Sequence, residues 1–140
     1  DDIYPSVCNI LWSMVGRRSL YACARINNKQ VRLHHVVLGA PVAGMQVDHI
    51  NGDKLDNRRC NLRFATPSQN CQNKPPSMGR KWKGLRHYKC GWMARIRTTQ
   101  GRICLGTFKT ATEAARAYNE AAKRLHGEFA WLNIIPDEAV

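Results

Sequence analysis

Acidic residues are scarce in this sequence. Its 140 residues hold 10 Asp plus Glu against 22 Lys plus Arg, which gives a formal net charge of +12 at pH 7. Such an imbalance attracts polyanions. Apolar residues nevertheless make up 44% of the chain, enough to supply a core and to exclude a disordered basic tail. We therefore expect one domain, or two small ones, that bind a polyanion.

Long apolar runs are also lacking. No stretch reaches the roughly 18 apolar residues that a membrane-spanning helix needs. The nearest approach, residues 7–15, is interrupted by Asn9 and Ser13. It follows the acidic pair Asp1 and Asp2, whereas a secretory signal begins with basic residues. The sequence therefore predicts a cytoplasmic protein that is neither secreted nor bound to a membrane.

Cysteine pairs of the Cys-x-x-Cys type are absent, and the cysteine spacing fits no zinc finger or zinc ribbon. In the absence of a secretory signal, we expect reduced thiols. Cys60 and Cys71 lie on either side of a candidate catalytic segment, so a disulfide between them is the alternative. The six cysteines are Cys8, Cys23, Cys60, Cys71, Cys90 and Cys104.

Two adjacent prolines divide the chain. The run from Lys74 to Gly79 (KPPSMG) is typical of a linker. It predicts a first domain over residues 1–74, a linker over 75–81 and a second domain over 82–134. Positive charge is most concentrated in residues 79–109, which hold nine Lys or Arg and no acidic residue. No internal repeat or low-complexity tract is found.

The first half predicts two strands, over residues 20–26 and 31–38, joined by a turn at residues 27–29. Residues 46–49 then predict a short strand that runs into a turn at Asn51-Gly52-Asp53. The next two elements are a strand over residues 61–64 and a helix that begins at residues 66–69 (TPSQ), where Thr, Pro and Gln form an N-cap, a first helical residue and a capping box.

The second half predicts three strands followed by one helix. The middle strand alternates, so its two sets of side chains face opposite sides of a sheet. A third strand is predicted from residue 102 to about residue 108, and a capping box at residues 110–113 opens a helix that ends near Gly127. The expected core face of the middle strand is Trp92, Ala94 and Ile96, its outer face is Met93, Arg95 and Arg97, and the core stripe of the helix is Ala111, Ala114, Ala115, Tyr118, Ala121, Ala122 and Leu125.

A carboxylate, an imidazole and an amide are predicted to converge in the strand–loop–strand–helix unit. Asp48 and His49 are adjacent, and adjacent residues of a regular strand face opposite sides. They can share a site only if the strand ends there, and the Asn51-Gly52 turn supplies that ending. Asn70 lies on the first turn of the helix. The alternative is that these are solvated loop residues, with His49 a satisfied core histidine.

The same segment carries a longer pattern of matching residue types and spacings: Leu33 and His34, residues 47–52 (VDHING), 55–58 (LDNR) and 61–63 (NLR), and Asn70. With this pattern, residues 12–73 resemble HNH endonucleases of the phage and mobile-element type. The resemblance implies a ββα-metal active site, also called a His-Me finger.

Roles for individual residues follow from that resemblance. His49 matches the general base that activates water, and Asn61 matches the residue that orients this histidine or supports the loop. Asp48 and Asn70 match the ligands of one divalent cation. Their oxygens suit Mg²⁺, with Mn²⁺ as the alternative, better than zinc. His34 is expected to support the structure, and His35 stands where the family commonly has arginine.

A second pattern consists of residues 83–86 (KGLR), 92–97 (WMARIR), 105–108 (LGTF) and 114–118 (AARAY), with Gly127, Leu132 and Asn133 at the end. With it, residues 82–133 resemble the AP-two/ERF DNA-binding domain, known from plant transcription factors and also found fused to HNH nucleases. The resemblance implies a three-stranded sheet that lies in the DNA major groove, with one helix behind it. The family's contact positions fall on Lys83, Arg86, Arg95, Arg97 and Arg102. Arg95 stands where Glu is common and Cys104 where Trp is common, so the base preference of plant members does not carry over.

The sequence thus predicts an α+β protein, in which a ββα-metal (His-Me finger) HNH module precedes a three-stranded antiparallel sheet packed on one α-helix. The predicted function is a metal-dependent DNA endonuclease of the homing type, which nicks one strand or cuts both and which the second module positions on double-stranded DNA. The alternative is a DNA-binding regulator whose HNH module is inactive. A third interpretation, an RNA-binding protein, is supported by the charge alone. No protein partner is evident, and a homodimer is compatible with the sequence.

Overall fold

The computed structural model describes residues 7–17 and 20–136, and it divides the chain into two compact units, Asp1–Asn70 and Cys71–Val140. Asp1 and Asp2 lie outside the described residues. The domain limits inferred from the sequence, 1–74 and 82–134, stay a prediction. None of the described helices is long and apolar enough to cross a membrane.

The first unit begins with an antiparallel sheet of three strands in the order β1 (Ser13–Val15), β2 (Tyr21–Ile26) and β3 (Lys29–Arg32). The turn between β2 and β3 is formed by Asn27 and Asn28, whose φ angles are 50° and 60°. Both lie in the left-handed region that asparagine tolerates and that a tight hairpin turn requires. The predicted turn is therefore present.

The predicted strand over residues 31–38 is wrong beyond Arg32. Residues Leu33–Leu38 form a helix, α1, which ends at Gly39. Short apolar runs do not distinguish a strand from a buried helix segment, because both bury a similar set of side chains. The helical conformation buries His34, which is 3% exposed.

The strand–loop–strand–helix order is confirmed. β4 (Gln46–His49) pairs antiparallel with β5 (Leu62–Ala65), and α2 (Pro67–Gln72) follows. The second strand starts one residue later than predicted, because Asn61 closes a 3₁₀ turn, Arg59–Asn61.

The capping box at the start of α2 is present. Thr66 Oγ1 accepts a hydrogen bond from Gln69 N at 3.3 Å, and Gln69 Oε1 accepts one from Thr66 N at 2.8 Å. These bonds satisfy backbone donors that the first helical turn leaves without partners. They fix the start of the helix that carries Asn70.

The second unit is a three-stranded antiparallel sheet, β6 (Leu85–Tyr88), β7 (Gly91–Thr98) and β8 (Gly101–Phe108), packed on α3 (Ala111–His126). Thr110 and Glu113 form the predicted capping box of α3. Small residues on the helix allow it to lie close to the sheet. The core consists of Trp82, Leu85, Ala94, Ile96, Ala114, Ala115, Tyr118, Ala121, Ala122 and Ile135.

The prediction that Leu125 belongs to the core stripe of α3 is wrong, since its side chain is 41% exposed. His126 is buried instead, and its Nε2 lies 2.9 Å from Arg97 O. Both residues fit helical spacing after Ala122, at three and four positions along, so the pattern alone does not choose between them. His126 is the residue that is buried, because its ring reaches the backbone carbonyl of Arg97.

Gly84 permits the close approach of α3 to the sheet. Its φ is +77°, and a Cβ atom there would lie 2.5 Å from Arg95 O and would overlap the ring of Tyr118. Real Cβ atoms do not approach other atoms so closely, and the left-handed conformation further favours glycine. A larger residue would push the strand away from the helix.

A β-bulge interrupts the pairing of β7 with β8. Ala94 pairs with Gly106 and the next residue, Arg95, pairs with Cys104, so Leu105 has no partner in the register. Leu105 packs partly buried against the core. A bulge of this kind changes which residues of one strand share a face with those of the other.

All six cysteines lie in the described part of the chain, and all are free thiols. Cys60 and Cys71 are both exposed and unbridged. The structure thus agrees with reduced thiols rather than with the Cys60–Cys71 disulfide.

Candidate functional site

Asp48 and His49 lie at the end of β4, where each side chain is 1% exposed. The strand stops at this point. Gly52 N donates a hydrogen bond to His49 O at 2.9 Å, and Ile50 N donates one to Asn61 O at 2.9 Å. The turn therefore begins directly after His49, and Ile50 connects it to Asn61, the residue that precedes β5.

Asp48 is paired with Arg63 across the two strands. The two residues are directly opposite each other in the β4–β5 register. Arg63 Nε donates a hydrogen bond to Asp48 Oδ2 at 3.0 Å, and Nη2 lies 3.0 Å from the same oxygen. A buried carboxylate needs such a positive partner, because burial without one is costly.

The imidazole of His49 is surrounded by ring and amide side chains. Its Nε2 lies 3.3 Å from Asn57 Oδ1. The centroid of its ring is 5.2 Å from that of His34 and 6.5 Å from that of Tyr21. Burial lowers the pKa of His49, and the hydrogen bond that its ring donates to Asn57 opposes this in part. The ring is therefore neutral at neutral pH, as a general base must be.

Asn61 supports the loop that follows β4. Its Oδ1 accepts a hydrogen bond from Asn51 N at 3.0 Å, and its Nδ2 donates to Asn51 Oδ1 at 2.9 Å and to Asp56 O at 2.8 Å. The resemblance implies that Asn61 either orients His49 or supports the loop, and these bonds match the second role.

Asn57, which is not among the predicted site residues, accepts the hydrogen bond of His49 Nε2. It belongs to the LDNR motif, but nothing in the sequence distinguishes it from the other loop asparagines. Neighbouring side chains fix the loop around it: Arg58 bonds both oxygens of Asp56, at 2.8 and 2.7 Å. These bonds hold the pKa of Asp56 well below its usual range.

Asn70 is held against β4 from the first turns of α2. Its Nδ2 donates a hydrogen bond to Gln46 Oε1 at 2.8 Å. Gln46 is two residues before Asp48 in the strand, so the two share a face. The amide of Asn70 thus borders the strand face that carries the Asp48 carboxylate.

The oxygen donors of Asp48 and Asn70 fit a hard divalent cation. Carboxylate and amide oxygens are the ligands of Mg²⁺ and Mn²⁺, and Mg²⁺ is commonly held by one or two protein groups. Within residues 7–17 and 20–136, no cluster of three or more His, Cys, Asp or Glu side chains has the arrangement of a metal site. The donor set therefore fits a cation that keeps most of its other ligands as water or substrate oxygens.

His34 is a core residue. Its ring contacts those of Tyr21, His35 and His49, with centroids 5.5, 4.5 and 5.2 Å away. Burial, with the nearby charges of His35 and His49, lowers the pKa of His34 to about 3. Desolvation likewise lowers the pKa of the half-buried His35. His34 is therefore a neutral ring that packs directly on His49.

Four arginines share the outer face of the second unit's sheet. Arg97 pairs with Arg102, Arg95 with Cys104, and Arg86 with Met93, so these residues project to one side. All four arginines are exposed. Met93 lies on this face as predicted, yet it is 9% exposed, since the Nε of Arg95 lies 3.0 Å from its Sδ. The four are Arg86, Arg95, Arg97 and Arg102.

Lys83 is placed differently from these arginines. Its ammonium donates hydrogen bonds to Gln72 O at 2.5 Å and to Lys74 O at 2.6 Å. Burial lowers its pKa to about 8. Its backbone N donates to Asn133 Oδ1 at 2.7 Å. The charge of Lys83 is thus directed to backbone carbonyls of the same unit.

Comparison with known proteins gives matches for both units. A family model described as HNH endonuclease matches residues 33–72. An uncharacterized HNH endonuclease of Acanthamoeba polyphaga mimivirus is 36% identical over 105 residues, which are 71% of this chain and 53% of that protein. No solved structure gives a significant match.

Plant proteins match the C-terminal part. An ethylene-responsive transcription factor of Arabidopsis thaliana is 49% identical over 66 residues, 45% of this chain and 26% of that protein. A dehydration-responsive element-binding protein of Oryza sativa subsp. japonica is 44% identical over 63 residues, 43% of this chain and 20% of that protein. The chain thus spans about half the length of the viral relative and about a quarter and a fifth of these two plant proteins. Together with the two folds, these matches show that the chain has an HNH endonuclease segment followed by an AP-two/ERF-type domain.

Proposed function

We propose that the chain is a metal-dependent DNA endonuclease of the homing type. The observation that carries this proposal is the buried Asp48–His49 pair at the end of β4, in a ββα unit within the segment that matches HNH endonucleases. A base, an acidic ligand and an amide ligand are what phosphodiester hydrolysis needs in one place.

His49 is the proposed general base. With Asn57 Oδ1 as the acceptor, the ring proton is on Nε2, and Nδ1 is the nitrogen that takes a proton. His49 removes a proton from a water molecule as that water attacks the phosphorus atom of the scissile phosphodiester. Asn57 keeps the ring oriented, and the neutral ring of His34 packs against it.

Asp48 and Asn70 are the proposed ligands of one divalent cation, Mg²⁺ or Mn²⁺. When bound, such a cation neutralises charge on the phosphate and on the leaving oxygen. Asn61 acts at one remove, since it holds the loop between His49 and β5 by its three hydrogen bonds.

The second unit is the proposed DNA-binding module. The outer face of its sheet presents Arg86, Arg95, Arg97 and Arg102 without an acidic residue among residues 79–109. Arginines on one sheet face hold phosphates or read guanine bases in the major groove of double-stranded DNA. This module positions the cut, and the first unit performs it.

The test is incubation of supercoiled plasmid with the protein and Mg²⁺, beside the same reaction in EDTA. We expect cleavage only with Mg²⁺; open circles indicate nicking, and linear product indicates a double-strand cut. Asp48→Asn and Asn70→Ala should each raise the Mg²⁺ concentration that cleavage needs. Glu120→Gln, an exposed carboxylate on α3, serves as the control. Cleavage undiminished in EDTA would overturn metal dependence.

A DNA-binding regulator with an inactive HNH unit is the second candidate. The observation that favours it is the ion pair of Asp48 with Arg63, because a guanidinium on the ligand oxygen opposes cation binding. Binding of DNA without cleavage in Mg²⁺ or Mn²⁺ would identify this function instead.

A further inference from the structure

Arg63 lies at the proposed metal ligand but has no role in the mechanism described so far. It extends from β5 directly opposite Asp48. Both its Nε and its Nη2 lie 3.0 Å from a single oxygen of that residue, Oδ2. The side chain of Arg63 is 12% exposed and that of Asp48 is 1% exposed. The guanidinium is therefore the counter-ion of a carboxylate that is almost completely buried.

The position of this pair is imposed by the strand register. Asp48 and Arg63 are held opposite each other by backbone pairing from Gln46↔Ala65 to His49↔Leu62. Opposite residues of an antiparallel pair have their Cβ atoms about 5 Å apart. The guanidinium therefore reaches the carboxylate without rearrangement of the backbone, and it returns readily if it is displaced.

We propose that Arg63 competes with the divalent cation for the carboxylate of Asp48 and thereby sets the cation concentration that the site requires. This inference rests on the proposed metal site and goes beyond it in assigning Arg63 a regulatory role. A cation that takes Oδ2 must displace two nitrogens from that oxygen. If it approaches elsewhere on the carboxylate, it still meets a positive charge a few ångströms away, and the repulsion is large where water is excluded.

The matched variants are Arg63→Gln, which removes the charge, and Arg63→Lys, which keeps the charge but loses the two-nitrogen contact. Arg25→Gln is the control, since Arg25 is an exposed arginine of β2 in the same unit. Asp48→Asn defines the binding that depends on the carboxylate. The readout is calorimetric titration of the full chain with Mn²⁺ alone, without DNA, so it does not depend on cleavage.

We expect Arg63→Gln to bind Mn²⁺ at least about tenfold more tightly than the wild type, because the site no longer gives up a buried ion pair. The affinity of Arg63→Lys for Mn²⁺ should lie between those of the wild type and Arg63→Gln, and the affinity of Arg25→Gln should match that of the wild type. In all cases the binding should disappear with Asp48→Asn.

Thermal stability gives a second readout. The gain in melting temperature on adding Mn²⁺ distinguishes competition from a merely structural ion pair. In EDTA, Arg63→Gln should melt below the wild type, because Asp48 has lost its counter-ion. Saturating Mn²⁺ should raise the melting temperature of Arg63→Gln by more than that of the wild type. If Arg63→Gln folds only when Mn²⁺ is present, the proposal is supported in the same way.

The outcomes separate this inference from the proposed function. Wild-type binding of Mn²⁺ that depends on Asp48, with no gain in Arg63→Gln or Arg63→Lys, overturns the role of Arg63 and leaves the metal site intact. Tight binding by Arg63→Gln alone supports the competition and favours the regulator over the nuclease. Absence of Asp48-dependent Mn²⁺ binding in every variant overturns both.

Discussion

The ring of His34 meets the ring of His49 edge-on, with centroids 5.2 Å apart and an angle of 90° between the planes. One ring belongs to α1 and the other to the end of β4, so the contact packs the helix against the strand that follows it in the chain. Burial lowers the pKa of both rings. Their packing therefore depends on both remaining neutral.

Acidification is expected to destabilise the first unit through His34. Its pKa falls from 6.5 to about 3 in the folded chain. Between these values the unfolded chain binds a proton that the folded chain does not, so stability is complete above pH 6.5 and declines towards pH 3. From pH 7 to pH 5 the loss from His34 alone should reach about 2 kcal/mol. Urea unfolding at the two pH values measures it.

In His34→Phe this part of the pH dependence should vanish, whereas His87→Phe, at an exposed histidine of β6, should keep it. His35 and His49 act in the same direction, so some dependence should persist in His34→Phe. An equal slope in wild type and His34→Phe would contradict the assignment.

Removal of the proposed base should abolish chemistry and spare affinity. His49→Ala is expected to slow single-turnover cleavage by about 10²–10⁴-fold, because the attacking water loses its proton acceptor. DNA binding measured by gel shift should match the wild type, since His49 is 1% exposed. Nicking at the wild-type rate would remove His49 from this role.

Asn57 should influence the rate through the orientation and basicity of His49. Asn57→Ala is expected to lower the cleavage rate about tenfold with DNA affinity unchanged. Asn57→Asp places a negative charge beside Nε2, which favours imidazolium and raises the pKa of His49. The acid limb of its pH–rate profile should therefore move to higher pH. A profile identical to that of the wild type would show that the Asn57 contact is not functional.

The sheet face of the second unit should dominate DNA affinity. Arg95→Ala and Arg97→Ala together remove two exposed charges, while Ala94 and Ile96 on the opposite face keep the strand on α3. If the two arginines contact phosphates, the slope of log K for binding against log salt concentration should become smaller by roughly 1 per lost contact, for all DNA sequences. For base contacts, the loss should be greater on a preferred duplex, by about 1–3 kcal/mol per bidentate pair. If the affinity for specific and for scrambled duplexes is unchanged, this face is not the DNA-binding surface.

Lys83 should behave as a structural residue rather than as a phosphate contact. Lys83→Met leaves the carbonyls of Gln72 and Lys74 without their ammonium donor, so the melting temperature should fall by a few degrees. The salt dependence of DNA binding should stay as in the wild type. Lys123→Met, an exposed lysine of α3, is the control for stability. If DNA binding by Lys83→Met depends less on salt than that of the wild type, Lys83 contacts a DNA phosphate.

Elements defined by local chemistry could be predicted from the sequence. The capping boxes at Thr66 and Thr110 are contacts over three residues, so their signal lies within one segment. The turn at Asn27 and Asn28 is equally local. The same holds for the end of β4 at the Asn51-Gly52 turn, which allowed Asp48 and His49 to be placed together.

Features that depend on distant partners could not be predicted. α1 was predicted as a strand, because its helical conformation is stabilised by the packing of His34 on Tyr21 and His49, residues of other elements. Arg63 meets Asp48 only through the register of two strands. Lys83 is predicted as a DNA contact by its match to the family's contact positions, and the sequence does not reveal its carbonyl partners, which lie 11 and 9 residues earlier in the chain.

The β-bulge at Leu105 has a consequence for any change in the length of β8. Beyond the bulge, Ile103 pairs with Ile96 and Arg102 with Arg97. Leu105 is the extra residue of the bulge, so its deletion would make the ladder regular and would leave Arg102 opposite Arg97 and Ile103 opposite Ile96. Loss of the bulge residue would therefore preserve the positive charge of the outer face, and its cost would lie in the local twist of the strand and in the contact that Leu105 makes with the core.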